Sequence, residues 1–283
     1  MAVKIMIDSA SDISLSEAEK KGVIMIPMLI TFGEEEFFDG VDLLPERFYE
    51  KLVESDELPK TSQINPFRFE EEFEKHTKNG DELVVITISS KLSGTYEGAK
   101  QVAAEKFAGK VFVVDSMNAA IGERLLCDYA LRLVSKGKSG AEIKEELDKQ
   151  KSRINVMAML GTLEYLKKGG RISKTVAFAG ELLSLKPVVA VVEGEVKLVG
   201  KALGSKKGNN LLNRLIAERG GIDFDMPYGV VWSGFSDATL KKYVQDSAAI
   251  WQADTDEVPA YIIGGTIGTH IGPGAVGVAF FEK

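Results

Sequence analysis

The sequence predicts an α/β protein made of two α/β domains, and three observations lead to this fold class. Residues 4–137 alternate apolar strand patterns with helical patterns, which is typical of parallel βαβ units. After a charged helical segment at residues 141–152, strands and a hairpin dominate, which favours a more antiparallel sheet. The length of 283 residues is sufficient for two domains. We therefore predict an N-terminal domain over residues 1–154 with a mainly parallel sheet, and a C-terminal domain over residues 155–283 with a mixed or largely antiparallel sheet.

The predicted N-terminal domain contains four strands and five helices. The strands are predicted at residues 4–9, 23–32, 82–89 and 110–116. The helices are predicted at residues 45–55, 66–77, 95–107, 123–137 and 141–152. Pro45 and Pro66 open two of these helices, because the first turn of a helix tolerates a residue without an N–H group. Gly137 ends the fourth helix.

The predicted C-terminal domain begins with a strand at residues 154–160. A hairpin follows at residues 188–199, turning at Gly194. The remaining elements are a helix at 210–219, a strand at 228–232, a helix at 238–251, and two terminal strands, 260–263 and 278–283, that we expect to pair with each other.

Composition excludes several classes of protein. The formal charge of −7 argues against a nucleic-acid partner, since phosphate binding needs a basic surface. The single cysteine, Cys127, has no partner for an internal disulfide, and we expect it to be a small core residue in a reducing cytoplasm. The sequence begins with an apolar strand in place of a secretory signal, and its longest apolar runs are too short to span a bilayer. We expect a cytoplasmic protein without a transmembrane segment.

Three predicted parallel strands end in small polar residues. These ends are Asp8-Ser9, Ser89-Ser90 and Asp115-Ser116. Open α/β sheets bind ligands beyond the carboxyl ends of their strands, so these residues are predicted to lie at the binding edge. The alternative is that they only cap the helices that follow.

The segment Ser89 to Tyr96 has the strongest binding signal of the three. Here a strand enters a helix through a loop rich in hydroxyl groups, and the N-terminus of a helix favours an anion. The Ser93 hydroxyl and the N–H groups of Gly94 and Thr95 are candidates to bind it. The phosphate-binding pattern G-x-x-x-x-G-K-[ST] is absent, so a nucleoside triphosphate is not supported.

Two further segments are candidate binding elements. Thr61-Ser62-Gln63 is predicted as a loop entering a helix, where it has either a binding or a capping role. Arg171 follows the glycine pair Gly169-Gly170. Its guanidinium group is equally suited to a carboxylate ligand and to the carbonyl groups at the end of a helix.

The segment Gly264 to Gly277 places one of the two histidines, His270, among six glycines. We predict a binding loop that connects two strands, because glycine allows the backbone to approach a ligand closely. The spacing G-x-G-x-x-G at Gly272, Gly274 and Gly277 matches the dinucleotide fingerprint. No helix is predicted after it, so this interpretation is rejected.

Taken together, these segments resemble the DegV family along essentially the whole chain. The motifs that carry the resemblance are IDSASD at the N-terminus, TSQ at 61–63, SSKLSGTY at 89–96, VVDS at 113–116, LKKGGRI ending at 172, and GTHIGPGAVG near the C-terminus. The resemblance implies a protein that holds one long-chain fatty acid between its two α/β domains. It further implies a non-catalytic subunit that presents the acyl carboxylate to a separate ATP-using kinase subunit, which forms an acyl phosphate for phospholipid synthesis. No cofactor and no metal are expected.

The family's carboxylate contacts correspond here to Thr61, Ser93, Gly94 and His270. Three residues are expected to support the head-group end: Ser62, Thr95 and Arg171. Candidates for the apolar tunnel follow Arg171 in the sequence, although such positions are more often ordinary core: Phe178, Leu182, Leu183 and Leu185.

Two alternatives remain open from the sequence. One is a serine hydrolase with Ser93 as nucleophile, His270 as base, and Asp8 or Asp115 as the orienting acid, although G-x-S-x-G is absent. The other is a binder of a different small anion, including a relative of dihydroxyacetone kinases. Docking to a kinase is less supported than lipid binding, because Leu203 and Ser205 occupy positions where family members usually carry arginine.

Overall fold

The computed structural model describes residues 2–173, 185–252 and 256–283. The strands of these residues, in chain order, are β1 (Val3–Asp8), β2 (Val23–Ile26), β3 (Leu29–Phe32), β4 (Glu35–Phe38), β5 (Lys60–Ser62), β6 (Glu82–Thr87), β7 (Val111–Asp115), β8 (Ile154–Met159), β9 (Leu185–Val192), β10 (Glu195–Leu203), β11 (Tyr228–Trp232), β12 (Ala260–Ile262) and β13 (Val276–Phe281). The α-helices are α1 (Leu15–Lys21), α2 (Pro45–Glu54), α3 (Pro66–Thr77), α4 (Thr95–Lys106), α5 (Ile121–Ser135), α6 (Gly140–Gln150), α7 (Glu164–Lys168), α8 (Gly204–Glu218), α9 (Ala238–Asp246), α10 (Ala248–Trp251) and α11 (Gly265–Ile271).

The N-terminal half is organised around a parallel sheet with strand order β2-β1-β6-β7. Its central strands β1 and β6 are almost entirely buried, as expected for apolar strands covered by helices on both faces. The predicted parallel βαβ arrangement is therefore confirmed. Cys127 is buried in α5, and burial raises the pKa of its thiol, as expected for an unreactive core residue.

The predicted strand at residues 23–32 is wrong, because it is two strands in different sheets. Pro27 has no N–H group to continue the ladder, and its carbonyl accepts from Arg68 Nη1 at 2.9 Å. Beyond it, β3 forms a small antiparallel sheet of order β4-β3-β5. The expected loop at Thr61 and Ser62 is correspondingly wrong, since both residues lie on β5.

The C-terminal half contains a six-stranded sheet of order β10-β9-β8-β13-β11-β12. All its neighbouring strands are antiparallel except β11 and β12, which confirms the predicted mixed, largely antiparallel sheet. The hairpin turns at Glu193 and Gly194, whose φ angles of 52° and 82° suit a tight two-residue turn. The two terminal strands do not pair as predicted, since β11 lies between β12 and β13.

The two halves share a continuous hydrophobic core. Helix α5 packs against β1 and β6 of the parallel sheet and against β8, β11 and β13 of the other sheet. One buried cluster contains Ile7 and Val84 from the first half together with Val231 and Phe281 from the second. β8 begins at Ile154, and the other strands of the six-stranded sheet follow it in sequence. The division into domains at residue 154 stays a prediction.

The glycine-rich segment is not the connecting loop that the sequence predicts, because residues 265–271 form helix α11. Its glycines allow close packing of the helix against neighbouring elements. A Cβ atom on Gly265 would lie 2.5 Å from Ile30 Cδ1, and one on Gly268 would lie 2.5 Å from Phe48 Cε1. Gly272 ends the helix with a φ of 68°.

Candidate ligand-binding site

A cavity lies between the carboxyl edge of the parallel sheet and the face of the six-stranded sheet. It encloses about 920 Å³ of space outside the atoms, including a part open to solvent. Most of its wall is apolar. The apolar lining residues are Met28, Ile88, Leu92, Ala119, Ala120, Ile121, Val156, Met157, Ala158, Leu160, Leu166, Val189, Ala190, Val191, Val196, Val231, Ile263, Ile267 and Ile271.

The polar side chains that line this cavity come from four separate segments of the chain. They are Thr61, Ser62, Gln63, Ser93, Arg171, Thr266 and His270. Five of them are sequence-predicted site residues. Gln63 and Thr266 are additional, and the TSQ motif is the signal that could have identified the first. The fold thus brings together residues separated by as many as 209 positions in the sequence.

His270 is held at the end of α11 against β5. Its Nε2 atom lies 2.9 Å from Thr61 Oγ1, while its Nδ1 atom is buried without a hydrogen-bond partner among the described residues. We place the ring proton on Nε2, because an unpaired acceptor nitrogen is easier to bury than an unpaired N–H group. Nε2 then donates to Thr61, whose own hydroxyl proton remains available to the cavity.

Burial sets the charge of this histidine. Burial, with a further contribution from the positive charge of Arg171, lowers the pKa of His270 to about 4. The ring is therefore neutral near pH 7. Gly169 makes room for it, since a Cβ atom at that position would lie 2.3 Å from His270 Nδ1.

Ser93 lies in the loop before α4, and Thr95 supports it. The Ile64 N–H donates to Thr95 Oγ1 at 3.3 Å, and Thr95 Oγ1 lies 2.9 Å from Ser93 Oγ. Ser93 Oγ also accepts from the Thr95 N–H at 3.3 Å. If Thr95 directs its hydroxyl proton to Ser93, the Ser93 hydroxyl proton is free for a ligand. The Thr95 N–H itself is not available to one.

Gly94 is the residue before α4, and it is exposed. A Cβ atom there would lie 2.0 Å from Gln63 Oε1, so the Gln63 side chain rests directly on the Gly94 backbone. Glycine at this position thus allows β5 and the start of α4 to approach each other at the polar end of the cavity.

Arg171 contacts one helix-end carbonyl and one loop carbonyl, and it also lines the cavity. Its Nη1 donates to Gly169 O at 2.6 Å, and its Nε donates to Leu92 O at 3.4 Å. The first contact satisfies the end of α7, which is one of the two roles that the sequence left open. The second fixes the guanidinium group next to the Ser93 loop, so a positive charge lies at the polar end.

The acidic residues at the strand ends have local structural roles. Asp8 accepts from the N–H groups of Ala10 and Ile88 at 2.9 and 2.8 Å. Asp115 accepts from the N–H groups of Ser90 and Met117 at 3.1 and 3.0 Å. Neither carboxylate is hydrogen-bonded to His270. The nucleophile, base and acid of the hydrolase alternative are thus not assembled in the described part of the chain.

None of the four candidates for contact with the acyl tail is found in the cavity wall of the described residues. Phe178, Leu182 and Leu183 lie outside the described residues. Leu185 begins β9 and does not line the cavity, whereas Val189, Ala190 and Val191 of the same strand do.

Comparison with known proteins identifies the family. The sequence model described as "Uncharacterised protein, DegV family" matches residues 2–283. The chain belongs to the DegV family. A DegV domain-containing protein of Caldanaerobacter subterraneus subsp. tengcongensis is 31% identical over 285 residues, which is 99% of each chain. One from Staphylococcus aureus (strain COL) is 32% identical over 282 residues, covering 99% of this chain and 98% of the relative.

Solved structures, among them DegV proteins, share the whole fold. A DegV family protein from Thermus thermophilus, described by its fatty acid binding, has a TM-score of 0.86 at 29% identity, with 100% of both chains covered. A stearic-acid-binding protein from Eubacterium ventriosum has a TM-score of 0.85 at 26% identity, covering 100% of this chain and 99% of that one. DegV from Bacillus subtilis, described as a fatty acid binding protein, has a TM-score of 0.83 at 26% identity, with both chains fully covered.

Within residues 2–173, 185–252 and 256–283, no helix has both the length and the apolar character needed to cross a bilayer.

Proposed function

We propose that this protein binds one long-chain fatty acid in the cavity between its two sheets. The observation that carries the proposal is the arrangement of the cavity wall, which is apolar except for hydroxyl, amide, imidazole and guanidinium groups drawn from separate segments. A fatty acid has the same division into a long apolar part and one small anionic part. Solved proteins of the same fold that are described as fatty acid binding support the assignment.

The carboxylate end is assigned to Thr61, Ser93, Gly94 and His270, with direct contact from Thr61 and Ser93. The hydroxyl groups of Thr61 and Ser93 act as donors, and His270 fixes Thr61 from behind. Ser62, Thr95 and Arg171 support this end, with Arg171 supplying the positive charge that offsets the buried anion. Such compensation is necessary because an unpaired carboxylate is very unfavourable away from water.

The acyl tail provides most of the affinity. Each buried CH₂ contributes about 0.8 kcal/mol, so roughly fifteen methylenes give on the order of 10 kcal/mol before the costs of association are subtracted. The polar end therefore determines the orientation of the ligand more than the strength of binding.

The protein itself is proposed to be non-catalytic. In this role it presents the carboxylate, in the cytoplasm, to a separate ATP-dependent kinase subunit that forms an acyl phosphate for phospholipid synthesis. The start of α8 is the surface to test for docking, since Leu203, Ser205 and Lys206 are exposed there. Pull-down with a candidate kinase subunit, using wild type and a Leu203→Arg/Ser205→Arg variant, tests this step separately from lipid binding.

Mass spectrometry of organic extracts from the purified protein tests the main proposal. We expect about one long-chain fatty acid per chain, and uptake of palmitate or oleate after delipidation. A combined Thr61→Val/Ser93→Ala variant should retain much less. A wild-type protein that is isolated empty and takes up neither acid would contradict fatty acid binding.

A further inference from the structure

The start of helix α11 is held by two aspartates from the N-terminal half of the chain. The Gly264 N–H donates to Asp12 Oδ1 at 2.8 Å. The Gly265 and Thr266 N–H groups donate to Asp39 Oδ1 and Oδ2 at 2.9 and 3.1 Å. Asp39 thus binds two of the N–H groups that a helix start leaves without an intrahelical partner.

Helix α11 has only seven residues, so its placement depends on such contacts. An isolated helix of this length is unstable in water, and glycine weakens it further. Thr266 and His270 are four residues apart, which places them on the same side of the helix. A shift at the Asp39 contact is therefore transmitted over one turn to the imidazole ring.

Asp39 is itself fixed to the small three-stranded sheet. It follows β4 directly, and its N–H donates to Met28 O at 3.0 Å just before β3. Thr61 lies on the other edge of this sheet, opposite Ile30 of β3. Both partners of the Thr61–His270 hydrogen bond are thus tied to one sheet: Thr61 through the β3–β5 pair, and His270 through Asp39.

A second contact supports the same junction from helix α2. Tyr49 donates its hydroxyl to Ile263 O at 3.0 Å, directly before the two aspartate contacts. Asp39 is only 2% exposed, so water does not readily replace it as an acceptor. Burial raises the pKa of Asp39, and its hydrogen bonds with Thr266 and Gly265 oppose that rise.

We propose that Asp39 is a positioning residue for His270, which it holds against Thr61 at the head-group end of the cavity by binding the start of α11. The proposal rests on the proposed function for its effect on ligand affinity. Its structural part, the placement of the imidazole, is measurable without any ligand.

The experiment compares Asp39→Ala and Asp39→Asn with wild type. Alanine removes both acceptors, whereas asparagine keeps one oxygen for one of the two N–H groups. Ser139→Ala is the matched control, because it also removes a helix cap, at α6, which packs mainly against α5, β6 and β7. Urea unfolding of each variant measures the loss of stability that any lost cap produces.

The decisive readout is the imidazole NMR spectrum of the ligand-free protein. The chain has two histidines, so His270 and His76 give two sets of ring signals, which a His76→Gln variant assigns. In Asp39→Ala we expect the His270 signals to move and its titration to shift upward toward that of an exposed histidine. His76 on α3 should be unchanged. Asp39→Asn should lie between alanine and wild type.

Palmitate affinity is the second readout. We expect Asp39→Ala to weaken binding by about tenfold or more, because a displaced His270 no longer fixes the Thr61 hydroxyl. This is the range for loss of one hydrogen bond to a charged group, here the bond from Thr61 to the carboxylate. Ser139→Ala should leave both the His270 signals and the affinity unchanged. If Asp39→Ala does not fold, the same comparison is made with Asp39→Asn.

The outcomes separate the two hypotheses. Unchanged His270 signals and titration in the Asp39 variants would overturn the positioning role, even if stability and affinity fall. A wild-type protein that binds no palmitate would overturn the proposed function, while the ligand-free spectra would still decide the role of Asp39.

Discussion

At the scale of single residues, the Thr61 hydroxyl lies 2.9 Å from His270 Nε2 and lines the cavity, and we propose that it donates to the ligand carboxylate. We expect Thr61→Val, which keeps the shape of the side chain, to weaken palmitate binding by about 1–3 kcal/mol because a buried carboxylate loses a donor. Isothermal titration of the delipidated protein measures this change. Thr31→Val is the matched control, since Thr31 lies on neighbouring β3 opposite Lys60 and does not line the cavity. Equal affinities for wild type and Thr61→Val would remove Thr61 from the site.

The low pKa of His270 has a consequence for stability. The pKa is about 4 in the folded protein and about 6.5 in the unfolded chain, so the unfolded chain binds a proton first as the pH falls. His270 therefore lowers the free energy of unfolding progressively from about pH 6.5 down to pH 4, by on the order of 3 kcal/mol in total.

This effect is measured as a difference between two proteins. Urea unfolding of the delipidated wild type and of His270→Gln at pH 7, 6, 5 and 4 isolates the histidine from other groups. The comparison is needed because burial raises the pKa of Asp8 to about 7. Protonation of Asp8 therefore increases the free energy of unfolding as the pH falls, in the opposite direction to His270. We expect wild type to lose stability relative to His270→Gln on acidification. A constant difference between the two would show that His270 is not buried as a neutral ring.

Single-residue motifs were the most predictable part of the site. Residue types and their neighbours marked Thr61, Ser93, Arg171 and His270 as candidates, and all four line the cavity. Their roles toward a carboxylate came from the family resemblance and stay a prediction. Thr266 was missed, since a threonine among glycines carries no signal unless the segment is read as a helix.

At the scale of elements, α11 shows where sequence reasoning fails. Glycine costs about 1 kcal/mol relative to alanine in a helix, so a segment rich in glycine predicts a loop. Tertiary contacts override this preference. Gly265 and Gly268, three residues apart, face β3 and α2, while Thr266 and His270, four residues apart, face the cavity. That helical spacing was present in the sequence and could have indicated the element.

We expect Gly268→Ala to be destabilising, although the higher helix propensity of alanine alone would predict the opposite. The added methyl group would lie 2.5 Å from Phe48 Cε1 and 2.9 Å from the Tyr49 hydroxyl, so either α11 or these side chains of α2 must shift. Overpacking of this kind costs about 1–3 kcal/mol, and a displaced helix also carries His270 away from Thr61. Urea unfolding and palmitate titration measure the two effects.

Gly98→Ala in α4 is the control for this change. A Cβ atom there makes only an ordinary contact, 3.5 Å from Pro66 Cγ, so the gain in helix propensity should make it neutral or stabilising. If Gly268→Ala behaved in the same way, close packing would not be the reason for glycine in α11.

Short strands were missed for a related reason. The strand β4 is largely exposed and β5 has only three residues, so neither shows the alternation of apolar and polar residues that predicts a strand. The hairpin β9–β10 was predicted correctly because Gly194 between two apolar runs is a direct turn signal. The small sheet of β3, β4 and β5 nevertheless holds Thr61 and, through Asp39, His270.

At the scale of the whole molecule, the sequence predicted the two kinds of sheet but not how they meet. The apolar pattern within each strand predicts which of its residues are buried. Contacts between segments far apart in the sequence leave no periodic pattern that could predict them. One example is the hydrogen bond from Ser89 Oγ to Gly194 O at 2.8 Å, which joins the edge of the parallel sheet to the hairpin turn. The cavity is formed by this meeting and was predicted only through the family resemblance.

A ligand in such a cavity contacts both halves, so it should stabilise the folded protein as a unit. Binding to the folded state alone adds about 2.7 kcal/mol at a free ligand concentration one hundred times Kd. We expect palmitate to raise the Tm of the delipidated protein by several degrees in calorimetry.

Methyl palmitate is the matched control, because it has the same tail but lacks the anionic oxygen that Thr61, Ser93 and Arg171 are proposed to hold. It should raise the Tm less than palmitate in wild type, and the gap between the two ligands should narrow in Thr61→Val, since only palmitate uses that donor. Equal shifts for acid and ester in wild type would show that the polar end of the cavity does not recognise the carboxylate.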